Sequence, residues 1–399
     1  MKKLIIFLLV IVLAFAGFLT WKSYQPEQHM ALTEDEMPAY SGEMSEDAAQ
    51  AQVKVLDYEA IKALHQSDEV VMSVCGKDVT WEEYYSWFYM NSMQVEAYFE
   101  QMAMYYGVSA DWSGSVGDDS GMIYADMPAA STEDTLLRFA AVEKLAAEKG
   151  ISLSEESEAQ LTDEALAAAV MGEGASVEDF VAALEEMNMS LETYRSITAV
   201  NLLYGDMLTA QFGADCELVD NEAVALWLGE QGYMAANHIL LMTADPATGE
   251  VFDEATAAEK KAKAEEIYAE LSAIGDVEEL KARFAQLKEE YCEDSGKTAY
   301  PEGYTFTSGT MVTPFEDAVK ASEAYDVHEP VESQYGWHIV MRLPLGKDCS
   351  ISDASGAKVP AGWIYAQNEL NAQVESVMDS EGISYADSFK AINVLDFVK

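Results

Sequence analysis

The chain has 399 residues, half of them hydrophobic, and 23 Lys+Arg against 71 Asp+Glu give a formal charge of −48. At roughly 150 residues per domain that length implies two to three domains with a sizeable core, and the acidic field excludes a nucleic-acid partner. Cys75, Cys216, Cys292 and Cys349 are widely spaced without a C-x-x-C pair, which excludes a zinc ribbon, a thioredoxin-type motif and a disulfide-dense miniprotein.

Lys2 and Lys3 precede an apolar run from Leu4 to Trp21, and Lys22 opens a polar stretch. Export machinery reads this pattern, and the run is long enough to span a bilayer core. Ala14-Phe15-Ala16 supplies a small-residue cleavage site, so residues 1–22 are a signal anchor or a signal peptide, and both readings stand. Positive-inside bias places the chain beyond residue 22 outside the cytoplasm, anchored at the outer face of the membrane if uncleaved and secreted if cleaved. Residues 23–66 are acidic and poor in apolar runs, an expected linker with a short helix around Tyr58–Leu64.

Order is expected to begin at Glu69–Val74, a β-like run followed by Gly76. Thr80-x-x-Glu83 has capping-box spacing and opens a helix reaching Tyr106, crowded with aromatics and with Met90, Met93, Met102 and Met104. Apolar residues on nearly every side predict either an enclosed core helix or an exposed sticky face. Gly107–Ser131 reads as a long loop. Its Asp111, Ser113, Ser115 and Asp118 lack the glycine and terminal glutamate of a calcium loop. Helices are expected next at about 132–149, 154–170, 176–187 and 190–212, each with a hydroxyl or carboxylate near its start.

Periodicity changes near residue 233. Tyr233–Met242 reads as a buried strand, and Asp245–Gly249 as a turn. Helices over about 254–275 and from Asp276 come next, then a turn-rich stretch at 292–310. A short helix containing Pro314 precedes strands Val331–Ser333 and Trp337–Arg342. The predicted order β-α-α-α-β-β is a compact α+β unit.

No G-x-S-x-G, H-E-x-x-H or P-loop is present, so nucleophilic, zinc-protease and nucleotide chemistry have no motif here. His238 and His338 fall inside apolar strands, where an unpaired polar group costs roughly 1–3 kcal/mol. Two readings stand: a structural pair satisfied across neighbouring strands, or a site. Cys292 lacks the spacing of a third zinc ligand, and neither a metal nor a cofactor is expected.

The segments Ala236-Asn237-His238-Ile239-Leu240, Glu290–Gly296, Gly309-Thr-Met311-Val-Thr-Pro-Phe315-Glu-Asp-Ala318 and Pro330–Ile339, in that order, resemble a parvulin-type peptidyl-prolyl isomerase. Val74–Glu83, Lys144–Ser154 and the helix before the isomerase segment extend the likeness to the PrsA/SurA group of extracytoplasmic foldases. The resemblance implies an α+β chain. A mostly helical chaperone domain would form from residues 67–231 and a returning segment 347–399 with a helix at 363–379. A parvulin-like domain at 232–346, a small antiparallel sheet with surrounding helices, would be inserted between them. It further implies His238 and His338 as the paired histidines, Asp294 and Ser333 as polar site positions, and Met311, Phe315 and Phe306 as the proline pocket. The implied partners are unfolded or nascent exported polypeptides containing proline, with the membrane added if residues 1–22 stay attached.

Two departures bear on activity. The family's glycine-rich stretch appears as Pro301-Glu-Gly-Tyr304, without the glycine pair and the leucine expected to wall the pocket. The loop after Met242 is acidic, which argues against phosphopeptide selectivity. Two functions therefore stand: an exported prolyl isomerase with chaperone activity, or a parvulin-fold holdase that has lost catalysis.

Overall fold

The computed structural model describes residues 54–106, 111–117, 121–245, 247–353, 355–389 and 391–399. The expected signal segment, the linker up to residue 53 and the loop residue Asp118 lie outside the described residues. Among the described residues no helix is long and apolar enough to cross a membrane.

In chain order the elements are α1 (Tyr58–Lys62), β1 (Val70–Val74), β2 (Lys77–Thr80), α2 (Trp81–Tyr106), α3 (Met127–Lys149), α4 (Glu155–Ala159), α5 (Asp163–Met171), α6 (Val177–Glu186), α7 (Leu191–Phe212) and α8 (Asn221–Glu230). Then come β3 (Tyr233–Met242), α9 (Glu254–Ser272), α10 (Val277–Tyr291), β4 (Tyr304–Thr307), α11 (Thr313–Ala321), β5 (Val331–Ser333), β6 (Gly336–Leu343), β7 (Ser350–Ser352), β8 (Lys358–Pro360), α12 (Ala361–Glu381) and β9 (Ile383–Tyr385). The chain is thus predominantly helical with small antiparallel sheets. Its described residues divide into two compact units, those up to Ala210 with Leu370–Lys399, and those of Gln211–Glu369.

In the first unit, helix starts are set by capping chemistry. Asp57, Ser154, Thr162 and Ser176 each accept a backbone N–H from the first turn of α1, α4, α5 and α6. The Thr162 cap also explains why the single helix expected over 154–170 is two, α4 and α5. α3 starts earlier than its expected residue 132, with Pro128 in the first turn, and ends at Gly150 in the left-handed region at φ 67°. Ile61 and Leu56 are buried, so packing begins inside the stretch read as linker. The aromatics of α2 are mostly core: Trp81, Tyr84, Tyr85, Trp87, Phe88 and Phe99 are buried, as are Met90 and Met102. Of the four methionines singled out in this helix, Met93 and Met104 are exposed.

In the second unit the sheet order is β4-β3-β6-β5, antiparallel throughout. Alternation along β3 and β6 divides the sheet into two faces. Ile239, Leu241, Ile339 and Met341 pack with Ile267 and Leu271 of α9 and Leu280, Phe284 and Leu287 of α10. On the opposite face Ala236 and Val340 pack with Phe306 of β4 and with Phe315, Ala318 and Val319, the apolar stripe of α11. β4 and α8 are elements that the periodicity did not announce.

Candidate active site

The site lies on the α11 face of the second sheet. In the antiparallel register of β3 and β6, His238 stands opposite Val340 and His338 opposite Leu240. The two histidines are therefore diagonal neighbours on one face, within reach of long or ring side chains. Their Nδ1 atoms lie 3.2 Å apart, and both residues are buried. His238 Nε2 is 2.8 Å from Asp294 Oδ2, and the Ser333 hydroxyl is 2.7 Å from His338 Nε2.

Two turns supply the outer members. Asp294 caps a 3-10 turn over Ser295–Thr298, accepting the Gly296 N–H at 2.9 Å, while Tyr304 donates its hydroxyl to the Oδ2 at 2.6 Å. Ser333 ends β5 and accepts the Tyr335 N–H at 3.1 Å. The turn into β6 needs Gly336: its φ is +142°, and a Cβ there would stand 2.1 Å from the Leu241 carbonyl oxygen.

With one proton on each ring, the hydrogen bonds run in a single direction. A carboxylate only accepts, so His238 carries its proton on Nε2 and presents a bare Nδ1. His338 then donates from Nδ1 and accepts from Ser333 at Nε2. The chain Tyr335 N–H, Ser333, His338, His238, Asp294 is thus a row of dipoles pointing at the carboxylate. The hydrogen bonds from His238 and Tyr304, opposed by burial, hold Asp294 well below the usual carboxylate range. Burial, with His238 alongside, pushes His338 down to about 3.

An apolar wall closes over this floor. Phe315 meets the His238 ring edge-on at a centroid distance of 5.2 Å and the His338 ring at 5.9 Å, and Phe306 backs it at 5.7 Å. Phe315 and Phe306 are buried, whereas Met311 is half-exposed and packs on the same cluster. The loop carrying Met311 is fixed by Glu316, whose carboxylate accepts the Gly309 N–H at 2.7 Å and the Met311 N–H at 3.1 Å. The structure therefore brings together His238, His338, Asp294, Ser333, Phe306, Phe315 and Met311.

Cys292, which flanks Asp294 in sequence, belongs to the other face. It is buried, its sulfur accepts the Leu240 N–H at 3.4 Å, and burial pushes its thiol up. No group of three or more metal-ligating side chains occurs among the described residues. Sequence reasoning missed Tyr304, which touches Asp294 directly. The alternation Tyr304-Thr305-Phe306-Thr307 was the available strand signal, with Tyr304 and Phe306 on one face.

Residues 238–343 match the PPIC-type PPIASE domain of the rotamase family. The chain is 30% identical over 187 residues to the foldase protein PrsA of Oceanobacillus iheyensis, covering 45% of this chain and 52% of that one. It is 37% identical over 71 residues to the chaperone SurA of Pseudoalteromonas translucida, covering 18% of this chain and 16% of that one. Among solved structures, NmPin, the parvuline of Nitrosopumilus maritimus, is 27% identical and covers 28% of this chain and 96% of its own, with a TM-score of 0.20. The chain spans about half or less of the length of these curated relatives.

Proposed function

From the premise that residues 238–343 are a parvulin-type peptidyl-prolyl isomerase domain in a relative of the PrsA and SurA foldases, we propose that this chain is an extracytoplasmic folding factor. It isomerises X-Pro bonds in unfolded exported clients and holds those clients as a chaperone. The observation that carries the reading is the continuous row Ser333–His338–His238–Asp294 lying directly beneath the Phe315 ring.

An X-Pro bond rotates over a barrier near 18–20 kcal/mol because amide resonance must be lost. No covalent intermediate is needed. The pyrrolidine enters the wall formed by Met311, Phe315 and Phe306, which removes water from the amide. Loss of resonance changes the charge distribution at the carbonyl and the nitrogen, and a pre-oriented dipole row ending in an anion stabilises the twisted form without reorganising. His338 spends its ring N–H on His238, and His238 spends its own on Asp294, so the imidazoles act through field and shape and not by proton transfer. Holding of clients is assigned to the first unit, supported by the exposed Met93 and Met104 and a cleft of about 660 Å³ lined by residues including Val181, Met189 and Leu191.

A proline-isomerisation assay on a tetrapeptide X-Pro series tests the reading. Wild type is expected to accelerate exchange, and His238→Ala to lower kcat/KM by roughly tenfold to a hundredfold, the loss of a hydrogen bond to a charged group. Met311→Ala should lower kcat/KM at nearly unchanged stability, whereas Phe315→Ala, a buried ring, should cost about 3–5 kcal/mol of stability as well. A wild type that leaves every peptide at its uncatalysed rate, yet suppresses aggregation of an unfolded client, replaces this reading with the holdase. The Pro301-Glu302-Gly303-Tyr304 departure keeps that second reading in play.

A further inference from the structure

Tyr304 lies in the stretch that departs from the family's glycine-rich pattern, and it is built into the site from several directions. Its hydroxyl donates to the same Asp294 oxygen that His238 Nε2–H engages, at 2.6 Å and 2.8 Å respectively. Its ring meets the His238 ring edge-on at 5.6 Å, and the Tyr300 ring packs tilted against it at 4.7 Å. The phenol has a fitted seat: a Cβ on Gly296 would sit 2.2 Å from the Tyr304 oxygen, so only the missing side chain leaves room for it. The same Gly296 gives its N–H to the other Asp294 oxygen.

The segment leading into Tyr304 is fastened as firmly. The Lys288 ammonium, buried on α10, donates to the Tyr300 carbonyl at 2.8 Å and to the Pro301 carbonyl at 2.9 Å. Asn237, the neighbour of His238, donates to the Pro301 carbonyl at 3.3 Å. Gly303 lets the backbone approach β3, with φ at +108° and a hypothetical Cβ 2.6 Å from the Ala236 oxygen.

We propose that Tyr304 is a positioning residue of this site: its phenol, seated over Gly296, fixes Asp294 as an acceptor-only carboxylate and through it sets the tautomers of His238 and His338. With the phenol in place, Asp294 receives three hydrogen bonds, and the proton on His238 is confined to Nε2. Without it, one lone pair of Oδ2 loses its donor, protonation of Asp294 becomes easier, and the direction of the whole row is no longer unique. Burial and the bond to Asp294 push the Tyr304 hydroxyl up, which keeps it a donor. The effect on rate rests on the isomerase reading; the tautomer assignment does not.

The test uses the full chain with 15N-labelled histidine, read by long-range 1H–15N NMR between about pH 7 and about pH 4, a range that covers the approach to carboxylate protonation. The groups facing Asp294 there are His238 on β3, His338 on β6, Tyr304 on β4, the Gly296 N–H, the Cys292 thiol and, from α10, the Lys288 ammonium. Wild type is expected to show single tautomers, Nε2–H on His238 and Nδ1–H on His338. Tyr304→Phe, which keeps the ring, is expected to mix the tautomers and to bring the onset of that mixing up into the pH range that leaves wild type unchanged. Gly296→Ala pushes the phenol off its seat and should reproduce both changes, and the double variant should be no worse than either single one. Unchanged tautomers across that range in folded Tyr304→Phe, or fully additive effects in the double variant, overturn the proposal. The tetrapeptide assay on the same samples separates the two ideas. A roughly tenfold lower kcat for Tyr304→Phe with a smaller change in KM supports positioning in an active enzyme. An inert wild type sinks the isomerase reading while the NMR result still decides Tyr304.

Discussion

His338 condenses the site's electrostatics into one side chain. Enclosed by Phe315, His238 and Ser333, it has no room for a second proton, and burial pushes it down to about 3 from an ordinary 6.5. The folded chain therefore refuses a proton that the unfolded chain accepts. The resulting contribution to stability is fully present above pH 6.5 and is lost progressively as pH falls toward 3. Asp294, also held low, adds to the loss only once pH drops below the ordinary carboxylate range, about 4. Urea unfolding of wild type should thus lose about 2 kcal/mol between about pH 6.5 and pH 5 from His338 alone. His338→Gln should flatten that part of the curve, and an unaltered slope in the variant would show that the imidazole takes up its proton alike in the folded and unfolded chain. The histidine pair was legible in the sequence because two polar rings in apolar strands must find partners. Tyr304 was not, because nothing in its sequence neighbourhood says that Gly296 lies beneath it.

At the scale of elements, the strands and helices with strong periodicity sit where the pattern placed them, and the errors have local causes. β3 runs over Tyr233–Met242 as its apolar run predicts, and α12 brackets the expected returning helix. β4 is only Tyr304–Thr307, too short to stand out of a turn-rich stretch, and it exists because it pairs with Tyr233–Ala236 of β3. α2 carries apolar groups on nearly every side, a pattern that leaves core and client surface undecided; packing against α3, with Trp87 edge-on to Phe139 at 5.5 Å, settles most of them as core. The β5–β6 turn gives a sharp element-level prediction. Gly336→Ala must place a methyl against the Leu241 carbonyl and hold alanine at φ +142°. It should cost about 1–3 kcal/mol from backbone strain alone, more with the clash, and should disturb Ser333 and His338 together. Thermal unfolding and the histidine spectrum of the variant check it; a neutral substitution would mean that the turn relaxes freely.

For the whole molecule, the consequential fact is that one unit is assembled from two stretches distant in sequence. β9 pairs with β1, the Asp57 N–H donates to the Phe397 carbonyl at 2.8 Å, and the Lys399 N–H donates to the Val55 carbonyl at 2.9 Å. Ile392 and Val394 are buried in the same unit. Deleting residues 382–399 removes an edge strand and this apolar plug, and should destabilise the first unit by about 3 kcal/mol or more. Limited proteolysis is expected to open residues 54–210 in the truncated chain, while 211–369 stays resistant and the tetrapeptide rate is retained. Equal protection of both parts would show that the tail is dispensable. The acidic excess, −48 over the chain, acts at this scale too, favouring solubility through self-repulsion.

Composition, periodicity and the ordered motifs of residues 236–339 determined the class of fold, the placement of the main elements and the set of polar and apolar candidates, because local propensity and side-chain alternation are properties of neighbours in the chain. Only the tertiary structure decided which of those groups touch, in what tautomer, and what fills the loop that departs from the family pattern. Contacts such as His238 with His338, or Tyr304 with Asp294 over Gly296, depend on strand register and on space left by an absent side chain, neither of which is written in any one segment of the sequence.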